Sequence, residues 1–181
     1  MLDYLTTKTS MQDLTETDYI YNETGTWTTR TIAKHEMIYS LYTLAIAGKA
    51  NQPVMNYYKA NQTLLTTDER YMLGASFAQI GDEGSFKQLI PKDYVVENTQ
   101  KQTGGSFASP IRNLAISLNS LVESDPENLQ IPKLARILSQ AIKATPYLST
   151  QESVFSFLAT MSKSNCTNFS PPSSSSEMVE S

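Results

Sequence analysis

Four places in this chain carry residue types that could do chemistry: His35-Glu36, Asp82-Glu83, Gly104-Gly105-Ser106 and the single Cys166. An imidazole beside a carboxylate is the raw material of an acid-base couple, but adjacent helical residues point about 100° apart and do not face each other. His35-Glu36 therefore reads as the polar start of a helix. Asp82-Glu83 follows Gly81, and carboxylates there suit the positive end of a short following helix better than general acid-base work. The glycine pair offers backbone amides to an anion, yet it lacks the lysine and glycine spacing of a phosphate-binding loop and reads as a hairpin turn. Cys166, in Asn165-Cys166-Thr167-Asn168, has no basic neighbour to lower its pKa and reads as a spectator thiol.

The elements that must position these residues are helical. Apolar segments centred on Leu44, Phe77, Leu118 and Leu158 lie 33, 41 and 40 positions apart. Each has a companion amphipathic stretch, Val54 to Gln62, Ser85 to Ile90 or Pro132 to Lys143, so the repeating unit is a helical hairpin. Ser149 with Glu152 forms a capping box that starts a helix near Thr150, and Leu148 before it is placed to staple onto Ser153 or Val154. Along that helix Val154, Phe155, Leu158 and Met161 form one stripe expected to be buried. Thr66 with Glu69 makes a second capping box, Ser109-Pro110 supplies a cap and first-turn proline, and Gly48 and Gly81 sit where helix ends need positive φ.

Tyr39, Tyr42 and Ile46 at spacings of three and four read as core, although Tyr57, Tyr58 and Tyr71 with them would also suit an aromatic-lined cleft. Two stretches break the helical rhythm. Tyr19-Ile20-Tyr21 with Trp27-Thr28-Thr29, and Tyr94-Val95-Val96 with Ser106-Phe107-Ala108, each predict a short β-hairpin, anchored on the helical layer by Trp27 or Tyr94. The fold expected is all-α: stacked helical hairpins of the curved or toroidal α/α type over residues 1–164, with two β-hairpins. Residues 165–181, with two prolines and four consecutive serines, are expected to be a disordered tail.

A chain of 181 residues is one domain's worth and buries roughly two-thirds of its unfolded surface. A net charge of −4 with no cluster of lysines and arginines among aromatics argues against a nucleic-acid partner. A single cysteine excludes an internal disulfide and a cysteine-based zinc site. No apolar run approaches the roughly 20 residues of a membrane span, and Met1 to Ser10 lacks the apolar centre of an export signal. No residue is assigned to catalysis, to a cofactor or to a metal, and no cofactor is expected.

The run "YLSTQESVFSFLATMSK", with "EMIYSLYTLAIAGKANQPVMNYY", "LTTDERYMLGASFAQIGDEGSFKQLI" and "GGSFASPIRNLAISLNSLVESD" in that order, resembles the thioester-domain region of bacterial alpha-2-macroglobulin-like proteins. The resemblance spans Ile32 to Ser164. The family's cysteine-glycine-glutamate-glutamine signature is missing, and no thioester residue is carried over. The resemblance implies an interaction domain, not an enzyme, within an endopeptidase inhibitor that closes around proteases in the periplasm or cell envelope. Trapping would be noncovalent, with neighbouring domains of a larger parent protein, and a protease through that parent, as partners. The chain would be part of a ring, since its helical segments number fewer than a full ring needs. The alternatives are a free-standing helical-repeat adaptor with polar faces on its first and last helices, and an α/α-ring enzyme acting on polysaccharide through two carboxylates across an open cleft.

Overall fold

The computed structural model describes residues 2–10, 13–21, 25–94 and 108–167. These residues hold eight α-helices and one two-stranded sheet: α1 (Leu2–Lys8), β1 (Thr15–Tyr21), β2 (Trp27–Ala33), α2 (His35–Ile46), α3 (Gln52–Ala60), α4 (Thr67–Gln79), α5 (Glu83–Leu89), α6 (Pro110–Ser124), α7 (Gln130–Ala144) and α8 (Thr150–Thr167). A 3-10 turn, Gln62–Leu64, links α3 to α4. The protein is mostly helical with one small antiparallel sheet. The second hairpin expected around Gly104-Gly105, and residues 168–181 of the expected tail, lie outside the described residues.

Local chemistry sets the helix starts. Glu69 accepts a hydrogen bond from the Thr66 amide at 2.8 Å and closes the capping box of α4. Ser109 Oγ accepts from the Arg112 amide at 3.1 Å ahead of Pro110. At α8 the Ser149 amide donates to Glu152 at 2.7 Å and the Glu152 amide donates back to Ser149 Oγ at 3.3 Å. Each reciprocal pair satisfies amides that a first helical turn leaves open. Gly48 and Gly81 end α2 and α4 at φ of 70° and 81°, a left-handed conformation that a Cβ would strain.

Packing follows an alternate-helix order. The main neighbours are α2 with α4, α4 with α6 and α6 with α8, while α3, α5 and α7 each accompany one of these. Two apolar clusters result. One joins Met37, Ile38 and Leu41 of α2 to Val54, Met55 and Tyr58 of α3 and Met72, Leu73 and Phe77 of α4. The other joins Leu114, Leu118 and Leu121 of α6 to Ile131, Leu134 and Leu138 of α7, with Tyr71 and Ala159. α4 feeds both clusters and is buried along nearly its whole length. At Gly74 an added Cβ would stand 3.0 Å from Ile90, so glycine lets α4 and the end of α5 close up.

Two expectations fail for a common reason, the angle at which a stripe meets its neighbour, and a third fails at the hairpin. Tyr39 and Ile46 are exposed, because α2 turns Met37, Ile38, Leu41, Leu44 and Ala45 to the core, and Tyr42 is only partly buried. The α8 stripe is also turned outward: Val154, Leu158 and Met161 are exposed, and only Phe155 of that set packs inward. The first hairpin forms with Tyr21 opposite Trp27 and Thr15 opposite Ala33. Trp27 does not anchor it, being 68% exposed. The anchor is the hairpin's base, where Leu14, Ile32 and Ala33 are buried and the Tyr58 hydroxyl donates to the Leu14 carbonyl at 2.5 Å.

Candidate functional site

The starts of α4, α6 and α8 meet around Arg112. Its Nε donates to Gln151 Oε1 at 3.1 Å, and its Nη1 donates to Asn113 Oδ1 at 3.2 Å and lies 3.8 Å from Asp68 Oδ2. The guanidinium carbon sits 5.3 Å from the Phe155 ring centre. Burial pulls the Arg112 pKa down, and Asp68, Glu69 and Tyr39 counter it electrostatically. The guanidinium is engaged from several sides, by hydrogen bonds to two amide oxygens, a nearby carboxylate and an aromatic face. It braces three helix starts. Asp68 in addition accepts from Thr66 Oγ1 at 2.7 Å, so this carboxylate serves the same brace.

A second polar assembly lies between α3 and the turn from α4 to α5. Gln52, Asn56, Phe77, Ile80, Gly81 and Asp82 line an open groove of about 350 Å³. Asp82 caps α5: its Oδ1 accepts from the Ser85 amide at 2.9 Å and its Oδ2 from Ser85 Oγ at 2.5 Å. Those bonds, with the charge of Lys59, hold its carboxyl below the usual range. Lys59 Nζ donates to Ser85 Oγ at 2.8 Å and lies 4.9 Å from the Phe77 ring centre. Lysine, serine and carboxylate in a chain suggest an activated nucleophile, but the proton directions oppose it. The ammonium donates to the serine, and the serine donates to a carboxylate made less basic than usual.

The third feature is apolar. Val154, Phe157, Leu158 and Met161, at spacings of three, one and three, occupy one outer face of α8 and are between 44% and 62% exposed. The inner face carries Glu152, Ser156 and Ala159, all buried, and Ser156 Oγ has no hydrogen-bond partner among the described residues. Phe155 apart, which packs inward, α8 thus inverts the usual distribution, with small and polar groups inward and large apolar groups outward.

The residues singled out by sequence are not brought together. His35 begins α2, and its neighbour Glu36 faces Lys8 at 3.7 Å. Asp82 and Glu83 start α5, with Glu83 3.4 Å from Lys87. Cys166 lies in the last turn of α8, and Gly104-Gly105-Ser106 falls outside the described residues. Tyr58 and Tyr71 are core, not cleft lining; the Tyr71 hydroxyl donates to Gln130 Oε1 at 2.9 Å, and burial pushes its pKa up to about 12. Burial also raises Tyr42, whose hydroxyl donates to Glu123. Sequence reasoning missed Arg112, Gln52 and Asn56; the last two stand one helical turn apart on the polar side of α3, a spacing already visible in the sequence. Among the described residues no group of three or more histidines, cysteines or acids is placed to hold a metal, and no helix is long and apolar enough to cross a membrane. Compared with protein-family models, curated proteins and solved structures, the chain matches none.

Proposed function

We propose that this chain is a structural, interaction domain of a macroglobulin-like endopeptidase inhibitor that entraps proteases noncovalently, and that its stacked hairpins form part of an α/α ring. The observation that carries the reading is the outer face of α8. A helix that turns Val154, Phe157, Leu158 and Met161 away from its own core is built to be covered by something else. The alternate-helix packing of α2, α4, α6 and α8, with α3, α5 and α7 beside them, supports the ring, because such a stack continues by adding another helix against α8. In this reading the neighbours are other parts of a larger exported parent in the cell envelope, and a protease meets the domain only through that parent.

A free-standing adaptor fits less well, since it needs a polar outer face on its terminal helices, where α8 is apolar. A polysaccharide-acting enzyme needs two carboxylates facing each other across an open cleft, whereas among the described residues the groove beside α3 is lined by one, Asp82. The test is an immunoblot of envelope and soluble fractions with antibody raised against this chain. A band many times larger than 20.1 kDa in the envelope fraction is the expected result, and a soluble band near the chain's own mass overturns the reading. Incubating the large species with an endopeptidase then asks directly for noncovalent capture.

A further inference from the structure

We propose that the groove between α3 and the α4–α5 turn binds an extended, uncharged peptide segment of another protein by its main chain. The inference stands apart from the macroglobulin reading and rests on the groove alone. Gln52 and Asn56 are exposed on one side of α3, and their side-chain amides make no hydrogen bond within the described residues. Each amide carries donors and an acceptor on one planar group, the pattern that pairs with both the N–H and the C=O of a peptide unit. Their separation of four residues corresponds to about 6 Å along a helix. Two residues of an extended chain advance about 6.6 Å, so successive amides on α3 meet alternate residues of a strand-like peptide lying along it.

The opposite wall sets the ligand's charge. Among the described residues Asp82 is the one carboxylate lining the groove, and the Lys59 ammonium stands behind it through Ser85, so the two charges offset each other. Recognition is left to hydrogen bonds from the side-chain amides, with Ile80 giving an apolar strip and Gly81, whose own N–H donates to the Ala78 carbonyl at 3.0 Å, adding no side chain to the wall. The groove's size is at the lower end of ligand sites, suited to a few residues. A saccharide is disfavoured because, among the described residues, the only aromatic lining the groove, Phe77, is buried and turns its ring toward Lys59, leaving no platform for stacking.

The test is titration of the full ¹⁵N-labelled chain with the neutral peptide acetyl-Ser-Ala-Thr-Ala-Ser-amide and, separately, with an N-acetylglucosamine disaccharide, at low and at high salt. Expected are saturable shifts at the side-chain amides of Gln52 and Asn56 and at the Gly81 amide with the peptide, equal at both salt levels because no charge pair is formed. The double variant Gln52→Ala, Asn56→Ala alters exposed side chains only. It is expected to keep the parent spectrum elsewhere and to weaken peptide binding by about tenfold or more. Absence of saturable shifts, shifts with the disaccharide alone, loss of binding at high salt, or full binding by the double variant overturns the proposal.

Discussion

α6 and α8 are long helices packed against each other, and they treat their side chains in opposite ways. α6 lies between α4, α7 and α8 and buries Ile111, Leu114, Leu118, Leu121 and Val122 together with Asn113, Ser117 and Ser120. α8 has α6 as its main neighbour, buries Glu152, Ser156 and Ala159, and leaves Val154, Phe157, Leu158 and Met161 outside. Composition does not separate the two, since both mix serines with large apolar residues. The difference is the number of sides covered. α8 has the side chains of an inner helix and the surroundings of an outer one.

The sharpest way to break this contrast is a matched pair of truncations. Leu118→Ala in α6 empties a fully packed site and is expected to cost about 2–5 kcal/mol in denaturant unfolding. Leu158→Ala on α8 is expected to cost less than about 1 kcal/mol, since its side chain is still partly in solvent; equal losses would mean that the α8 face is covered in solution. Glu152→Ala removes half of the α8 capping box and is expected to cost about 0.5–2 kcal/mol, and no measurable loss would contradict the observed cap.

Alkaline titration sharpens the α6 side of the contrast. Tyr71 packs in the α6 cluster with its pKa raised, mainly by burial, to about 12. Between the unfolded value of about 10 and that folded value the native state binds the extra proton, so stability falls as pH rises through this window. Tyr71→Phe is expected to lose about 0.5–1.5 kcal/mol at neutral pH, from its bond to Gln130, and to show a shallower decline above pH 10. The smallest effect belongs to α8. Ser156→Ala removes a buried hydroxyl that has no partner among the described residues and is expected to be neutral or stabilising by up to about 1 kcal/mol in thermal unfolding, where a loss would reveal a further bond.

Much of the helical framework was legible in the sequence, because capping boxes, Ser109-Pro110 and the terminal glycines are local signals. The expected companion stretches at 54–62, 85–90 and 132–143 fall on α3, α5 and α7. Periodicity fixes which residues share a face but not which face meets a neighbour. For that reason Tyr39, Ile46, Val154, Leu158 and Met161 were expected in the core and lie outside it, while Phe155 of the same stripe packs inward. Arg112 was silent for a related reason. Its partners Asp68 and Gln151 come from helices 44 and 39 positions away in the chain, so no local pattern announces them.

The central claim is that the outer face of α8 is covered in the native protein. Phe157→Cys in a Cys166→Ser background places one thiol at the centre of that face, and its rate of alkylation is measured in the isolated chain and in the intact protein purified from its source. The account predicts fast labelling of the isolated chain and strong protection in the intact protein. Equal rates in the two would contradict it.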